Sequence, residues 1–267
     1  MWWSGPKRQT MNLPFASQYL PQFIAIATAA GAKIMEIYHG DFATALKSDA
    51  SPVTAADTAA EAIIIAGLKR DFPNIPIIAE EQQAAGQKIA IADTFFLVDP
   101  LDGTKEFISR NGEFTVNIAL IQNSAPVCGV VLAPALGEVY VGEMDLGAFA
   151  AKTPPLQFSA IATRGRPAAG PTILASRSHL DAQTEAFIAA QKPASIANAG
   201  SSLKFCRVAE GKADLYPRFG RTMEWDTAAG HAVLTAAGGK VVTPDGGPFV
   251  YGKSGFANGP FIASGRT

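Results

Sequence analysis

Cysteine and histidine are scarce in this sequence, and neither sign of charge predominates. Among 267 residues there are two cysteines and three histidines, and 22 basic side chains nearly balance 23 acidic ones. Cys128 and Cys206 are far apart, which argues against a disulfide framework or a zinc site and indicates reduced thiols in a cytoplasmic protein. The formal net charge of −1 excludes a broad positive field, so we expect no nucleic-acid polymer as a partner.

Long apolar runs are also missing. No segment approaches the ~20 consecutive apolar residues that a membrane-spanning helix needs. The opening MWWSGPKRQT has no apolar stretch followed by a small-residue cleavage site. We therefore expect a soluble, cytoplasmic protein with a frayed N-terminus and no transmembrane segment.

Hydrophobic residues nevertheless make up 48% of the chain, enough for a sizeable core in one large domain or two moderate ones. Their spacing predicts a helix over residues 17–38. A second helix is predicted over residues 54–70. Buried strands are predicted in IPIIAE and DTFFLVDP, followed by an antiparallel meander from 115 to 150. The first half of the chain is therefore expected to be α+β.

A stretch rich in proline, glycine and small polar residues, 152–171, predicts a boundary. Beyond it, the strand-like segments TILAS, ADLYP and KVVTP alternate with predicted helices, as in an α/β unit. We therefore predict two units, over residues 1–155 and 156–267.

Acidic residues follow two of the predicted strands. Asp99 and Asp102 lie three apart in FFLVDPLDGTKEF, with Pro100 restricting the turn between them, and Glu80 and Glu81 end the neighbouring strand. Up to four carboxylates would then meet at one edge of the sheet and need a counter-cation. All-oxygen ligands indicate Mg²⁺ or Mn²⁺ rather than zinc. Spacing alone leaves open that DPLDGT is only a turn.

Two further acids have simple structural interpretations. Asp57 follows Thr54 by three residues, the spacing of a capping box at a helix start. Asp226 lies at the front of the helix predicted in EWDTAAG, where the helix dipole favours an acid. From the residues alone, neither acid needs a functional role.

Four segments together carry a resemblance: PVTAAD (52–57), AEE (79–81), DPLDGTKEF (99–107) and EWDTAAG (224–230). In order and approximate separation they resemble the lithium-sensitive, magnesium-dependent phosphatases that include inositol monophosphatase. The resemblance runs across most of the chain. It implies a layered αβαβα sandwich of the inositol monophosphatase and fructose-1,6-bisphosphatase type. One departure is Ala79 and Gln82 around the glutamate pair, where many members have Gly before it and Ser or Asp after it.

The resemblance also implies a metal site. Glu80, Asp99 and the backbone carbonyl of Leu101 would hold one Mg²⁺, and Asp99, Asp102 and Asp226 would hold a second. Two or three ions per site are expected, with Mn²⁺ as a substitute. The first unit would carry most of this site, and the second unit its last ligand and the substrate-recognition residues.

Water activation is implied for Asp57 and Thr104, which occupy the positions of the family's polarising acid and threonine. The backbone N–H groups around Gly103 and Thr104 suit an incoming phosphate, because a turn that leads into a helix presents unpaired donors.

Recognition of the rest of the substrate is predicted in SRSH (176–179) and GSSLKFC (200–206). Lys204 falls in the first turn of a predicted helix, where the dipole opposes a cation, so an anionic partner such as a second phosphate is expected. Ser201 and Ser202 would donate to it, with Ser176 and His179 nearby. The simpler interpretations are a plain N-cap serine, a solvated lysine and a structural histidine. The expected substrate contacts are Glu80, Leu101, Asp102, Gly103, Thr104, Ser176, His179, Ser201, Ser202, Lys204 and Asp226.

The segment VDPLDGTKEFISRNGEFTVNIALI resembles the 3′(2′),5′-bisphosphate nucleotidase branch of the family. This implies hydrolysis of adenosine 3′,5′-bisphosphate to AMP and phosphate in sulfate assimilation, with 3′-phosphoadenylyl sulfate as a second substrate. Arg218 and Arg221 are either anion contacts or ordinary exposed arginines.

Two other functions are open on the same residues: an inositol-1-phosphate or broad sugar-phosphate phosphatase, and a non-catalytic regulatory binding protein. The family resemblance also implies lithium sensitivity. A homodimer and peripheral association with the inner face of the membrane are left open.

Overall fold

The structure, a computed structural model, describes residues 13–40, 43–46, 52–87, 89–152, 156–176 and 181–266. The N-terminal segment expected to be frayed lies outside the described residues. The helices are α1 (Leu20–His39), α2 (Ala55–Asp71), α3 (Glu80–Ala84), α4 (Thr104–Ile108), α5 (Ala182–Ala190), α6 (Leu203–Ala209) and α7 (Glu224–Ala236), with a 3₁₀ turn at Ser254–Phe256. The strands are β1 (Thr44–Leu46), β2 (Pro52–Thr54), β3 (Ile77–Ala79), β4 (Thr94–Asp102), β5 (Thr115–Gln122), β6 (Ala125–Ala133), β7 (Glu138–Glu143), β8 (Gly147–Lys152), β9 (Ser159–Ile161), β10 (Thr172–Ala175), β11 (Ser195–Asn198), β12 (Leu215–Arg218), β13 (Thr222–Met223), β14 (Lys240–Val242), β15 (Ala257–Asn258) and β16 (Phe261–Ser264).

The first sheet has the strand order β3-β4-β5-β6-β7-β8-β9. β3 is parallel to β4, and the other neighbours are antiparallel. β5 to β8 form the predicted meander, and β9 extends it by one strand that was not predicted. β4 is buried on both faces, because Phe95 and Leu97 belong to one hydrophobic cluster and Phe96 and Val98 to another. Its near-continuous apolar sequence is explained by this cover on both sides.

The second sheet has the order β11-β10-β12-β16-β14. β10 is parallel to β11 and β12, whereas β16 is antiparallel to β12 and β14. The predicted α/β alternation is present, and β11 and β16 add two strands that the sequence pattern did not indicate. β11 is exposed along its length and has no buried apolar face to create a pattern.

Helices separate and cover the two sheets in five layers. α1 and α2 pack on the outer face of the first sheet, and α6 and α7 lie between the sheets. α5 covers the far face of the second sheet, where Ile188 packs with Ile173 and Leu215. The predicted αβαβα sandwich is confirmed.

Two observations bear on the predicted boundary at residue 155. β9 lies beyond it and still pairs with β8, so the chain leaves the first sheet after Ile161. Val233 of α7 shares one hydrophobic cluster with Leu97 of the first sheet and Val241 of the second. The division into units 1–155 and 156–267 stays a prediction, and a common core joins the two sheets.

Among the described residues, α1 is the one helix long and apolar enough to cross a membrane by length and composition. Within that window, 44% of the residues are buried inside the fold. Phe23, Ala27 and Ile34 face the core, where α1 packs against α2 and β6. This is the amphipathic helix that the apolar spacing predicted.

Candidate active site

The DPLD sequence forms a kink at the end of β4. Asp99 pairs across the sheet with Asn117 of β5, and the register is then irregular up to Asp102. Pro100 has no N–H to contribute to the ladder, which suits an irregular position. The Leu101 N–H donates to Asp99 Oδ1 at 3.0 Å. The segment is therefore a kinked strand end that carries two acids, and not a free turn.

Four carboxylates meet at this strand end. Burial raises the pKa of Asp99 well above its ordinary value, and the charges of Glu80, Asp102 and Asp226 raise it further. The side-chain interaction with Glu80 raises the pKa of Asp99 as well, so Asp99 takes up a proton more readily than an exposed aspartate. Glu80 is brought there because β3 runs parallel to β4 and ends beside it.

Asp226 reaches the cluster from the start of α7. Its pKa is raised well above the ordinary value by burial and by the charges of Asp102 and Glu80. Its Oδ2 accepts the Met223 N–H at 2.8 Å, so the predicted helix-terminal role is present as well.

A buried glutamate fixes the start of α7. The Glu224 carboxylate accepts the N–H groups of Gly252 at 2.8 Å and Lys253 at 2.9 Å, and it pairs with Lys253 Nζ at 2.7 Å. Sequence reasoning missed this anchor. A charged residue beside Trp225, two positions before the candidate ligand Asp226, is the signal that was available.

Asp57 forms the predicted capping box and also contacts Thr104. Its Oδ2 accepts the N–H and the hydroxyl of Thr54, each at 2.8 Å, which forms the capping box of α2. Its Oδ1 accepts the Thr104 hydroxyl at 3.2 Å. Thr104 opens α4, directly after Gly103 at a φ of 92°, which a glycine adopts without strain. The acid and the threonine of the predicted water-activating pair are therefore in contact.

Ser201 and Ser202 hold Asp102. Its Oδ2 accepts the Ser201 hydroxyl at 2.7 Å, the Ser202 N–H at 2.7 Å and the Ser202 hydroxyl at 3.0 Å. Ser201 Oγ also contacts Thr115 Oγ1. Ser202 precedes α6 but makes no side-chain capping bond, so the plain N-cap interpretation is wrong for it.

Lys204 is buried, with 5% of its surface exposed, so its interpretation as a solvated lysine is wrong. Its Nζ donates to the carbonyls of Ala199 at 3.1 Å and Ser201 at 2.7 Å, and it lies 5.1 Å from the centre of the Tyr216 ring. Burial lowers the pKa of Lys204 to about 8, against the opposing effect of Asp102. The ammonium thus stabilises the turn that holds Asp102.

The model of the inositol monophosphatase family matches residues 16–265. The 3′(2′),5′-bisphosphate nucleotidase CysQ of Salmonella typhimurium is 46% identical over 227 residues, covering 83% of this chain and 89% of that protein. The protein of the same name from Shigella flexneri is 44% identical over 234 residues, covering 87% and 93%. The crystal structure of CysQ from Bacteroides thetaiotaomicron has a TM-score of 0.80 and 38% identity, covering 94% of this chain and 100% of that chain.

The chain belongs to the inositol monophosphatase family. The resemblance carried by the four segments is confirmed, and so is the family fold.

The remaining predicted site residues lie in different surroundings, some buried and some exposed. Arg218, at the end of β12, is buried, which rules out its interpretation as an ordinary exposed arginine. It donates to the carbonyls of Gly220 and Arg221, each at 3.3 Å, and its charge acts on Asp226. Arg221 is exposed and contacts Met223 Sδ at 3.7 Å. Ser176 is partly buried just after β10. His179 lies outside the described residues.

The donors fit a hard divalent cation. Among the described residues, no three His, Cys, Asp or Glu side chains are arranged to hold a metal ion by themselves. Mg²⁺ in such sites is usually bound by one or two carboxylates, waters and substrate phosphate rather than by a complete protein cage. Asn117 Oδ1 is buried beside the cluster with no partner in the described part of the chain. The raised pKa values of Asp99 and Asp226 and the oxygen of Asn117 that is unpaired among the described residues are what a cation-binding site shows when no cation is bound.

Proposed function

We propose that this chain is a Mg²⁺-dependent 3′(2′),5′-bisphosphate nucleotidase that hydrolyses adenosine 3′,5′-bisphosphate to AMP and phosphate. The observation that carries the proposal is the meeting of Glu80, Asp99, Asp102 and Asp226, next to a buried lysine. Relatives at 44–46% identity are named 3′(2′),5′-bisphosphate nucleotidase. Use of 3′-phosphoadenylyl sulfate, which would give adenylyl sulfate, is part of the same proposal.

The metal ligands we propose follow the family roles. Glu80, Asp99 and the Leu101 carbonyl would hold one Mg²⁺, and Asp99, Asp102 and Asp226 would hold a second. When bound, these ions supply Lewis-acid charge that neutralises the phosphoryl oxygens and lowers the pKa of a water. Mn²⁺ is the expected substitute.

The protein's own contribution to the chemistry is proton handling and alignment. The Thr104 hydroxyl donates to Asp57 Oδ1, so its oxygen lone pairs face away from Asp57 and can accept a hydrogen bond from water. Asp57 keeps this orientation because Thr54 holds its other oxygen. A water in line with the scissile phosphate would be polarised by this pair, and α4's first N–H groups would face the phosphate oxygens.

The second phosphate and the nucleoside are assigned to the other side of the site. Lys204 uses two of its three N–H donors on backbone carbonyls, which leaves one among the described contacts for an anion. The buried guanidinium of Arg218 adds positive charge beside it. Ser176 and His179 are the proposed neighbours from the end of β10.

Further properties are proposed from family membership. The enzyme would act in sulfate assimilation and be sensitive to lithium. It would work in the cytoplasm, and peripheral association with the inner face of the membrane is compatible with this location. A homodimer is compatible with these roles.

The test compares phosphate release from adenosine 3′,5′-bisphosphate, adenosine 3′-monophosphate and inositol 1-phosphate, with Mg²⁺. The wild type should prefer the bisphosphate. Lys204→Ala should lower kcat/KM for the bisphosphate by about 10- to 100-fold, the worth of one charge-assisted hydrogen bond, and leave the 3′-monophosphate much less affected. Because the pKa of Lys204 is about 8, the preference should decrease above pH 8 as the ammonium loses its proton.

Lys240→Ala removes an exposed lysine of β14 and serves as the matched control. Equal losses on both adenosine substrates would assign Lys204 to support of the Asp102 turn alone. A preference for inositol 1-phosphate would favour the inositol-phosphatase alternative. Binding without turnover of any of the three would favour a regulatory binding protein.

A further inference from the structure

The Ser202 hydroxyl lies between two acids that come from different halves of the chain. Its Oγ is 3.0 Å from Asp102 Oδ2 and 2.7 Å from the backbone carbonyl oxygen of Asp226. The Ser202 N–H donates to the same Asp102 oxygen at 2.7 Å. One buried residue therefore contacts both the end of β4 and the first turn of α7.

Asn117 completes this contact from the neighbouring strand. It is fully buried on β5, directly across the sheet from Asp99. Its Nδ2 donates to Ser202 Oγ at 3.0 Å and approaches Asp102 Oδ2 at 3.5 Å. A hydroxyl has a single proton, so a serine that accepts from Asn117 gives its own proton to Asp226 O or to Asp102.

These bonds act on one oxygen of Asp102. All the hydrogen bonds that the described residues donate to its carboxylate go to Oδ2, which leaves Oδ1 as the oxygen to face a cation. Neighbouring carboxylates repel one another in a buried site, and fixed donors are needed to prevent them from turning apart.

We infer that Ser202 and Asn117 are positioning residues that fix Asp102 and the start of α7 relative to each other, so that the site is set for divalent-cation binding before substrate arrives. The inference rests on the proposed function for its metal site. It departs from the expectation that Ser202 serves to contact the substrate.

The test measures Mn²⁺ binding to substrate-free protein by electron paramagnetic resonance, so it does not depend on activity. Ser202→Ala and Asn117→Ala should each weaken Mn²⁺ binding by about 10-fold or more, the usual effect of removing a residue that supports metal ligands. The double variant should lose little more than the worse single variant, because the two residues act as one unit.

Ser264→Ala is the matched control, since it removes a buried hydroxyl from the second sheet. It should lower the melting temperature about as much as Ser202→Ala and leave Mn²⁺ binding unchanged. The inference is overturned if Ser202→Ala binds Mn²⁺ within twofold of the wild type, or if Ser264→Ala weakens binding equally.

The outcome separates this inference from the proposed function. A wild type that binds Mn²⁺ but does not cleave the bisphosphate contradicts the nucleotidase proposal alone, and the variants still decide on the positioning role. A wild type that binds no Mn²⁺ contradicts both.

Discussion

Burial and neighbouring carboxylates disfavour the ionised form of two acids in the site. Asp99 and Asp226 are buried beside Glu80 and Asp102, and each has a raised pKa for this reason. A charge without a partner in such a place costs several kcal/mol, and it either takes up a proton or gains a cation. The site therefore stores repulsion that cation binding would relieve.

Asp226→Asn should remove part of that repulsion together with one ligand. We expect turnover to fall by about 100-fold or more, because loss of a ligand should cost at least as much as loss of a residue that supports a ligand, which costs about 10- to 100-fold. We also expect the melting temperature of the metal-free protein to rise by about 2 °C or more, and the stabilisation by added Mg²⁺ to decrease. Phosphate release and thermal unfolding with and without Mg²⁺ measure these effects.

Asp245→Asn, at an exposed turn, is the control for this change and should leave turnover, the melting temperature and the stabilisation by Mg²⁺ unchanged. Near-normal turnover in Asp226→Asn would contradict the assignment of Asp226 as a ligand. An unchanged response to Mg²⁺ would contradict it equally.

The family resemblance indicated that Glu80, Asp99, Asp102 and Asp226 would lie together, but it did not indicate their hydrogen-bond partners. Asp57 and Thr104 were predicted to cooperate, and they are in contact. Ser202 was expected at a phosphate, yet its hydroxyl faces Asp102 and Asp226, because the chain after β11 brings the serine turn against β4. Asn117 was missed, although a lone amide in the buried strand TVNIALI was a visible signal.

The close packing of α7 on the first sheet determines the position of Asp226. α7 lies directly on the first sheet, and two glycines permit this approach: a Cβ on Gly129 would come within 2.9 Å of Ala229 O, and one on Gly142 within 2.6 Å of Val233 Cα. Backbone atoms cannot move aside as a flexible side chain can. The distance from α7 to β4, and thus from Asp226 to Asp99, depends on these glycines.

Gly142→Ala should force α7 away from the sheet. We expect a loss of about 1–3 kcal/mol in the free energy of unfolding, as for other overpacked cores, and a lower kcat because Asp226 moves relative to Asp99. Urea unfolding and phosphate release are the measurements.

Gly259→Ala is the matched control, because nothing lies within 4 Å of the position its Cβ would take. It should change the unfolding free energy by less than about 0.5 kcal/mol. If Gly142→Ala proved as harmless as Gly259→Ala, the close approach of α7 would not be what positions Asp226.

Elements with a strong local pattern were predictable, and elements defined by distant partners were not. α1 has its apolar stripe, α2 has its capping box, and β4 has an apolar run covered on both faces. β11, by contrast, is an exposed edge strand, and β13 and β15 are two-residue strands that exist only because they pair with each other. Such pairing depends on the whole fold and leaves no local signal.

At the scale of the whole molecule, the site is shared between the halves of the chain. The first sheet contributes Asp99 and Asp102, α7 contributes Asp226, and the turn before α6 contributes Ser202. The layer order could be expected from the family resemblance. In the second sheet, β16 lies between β12 and β14. The order of the strands along the chain does not by itself predict this arrangement.

The stability of the whole molecule should depend on pH through a buried histidine in this common core. His231 Nδ1 lies 3.0 Å from the Tyr251 hydroxyl, which donates to Thr227 Oγ1 at 3.2 Å. Burial lowers the pKa of His231 to about 3, below its ordinary 6.5. Between these values the unfolded chain binds a proton that the folded protein does not. This contribution to stability is therefore complete above pH 6.5 and is lost as pH falls toward 3.

His231→Asn should flatten this dependence. Protonation of His231 in the unfolded chain lowers the free energy of unfolding by about 2 kcal/mol at pH 5. The fall in this free energy from pH 7.5 to pH 5.0 should therefore be smaller by about that amount in the variant. Denaturant unfolding in a chelator measures it.

Asp99 and Asp226 act in the opposite direction, because their raised pKa values make the folded state bind protons more readily than the unfolded chain as the pH falls. Both acids are present in the wild type and in the variant, so their effect cancels in the comparison. Equal pH slopes for the two proteins would show that the folded state does not keep His231 neutral.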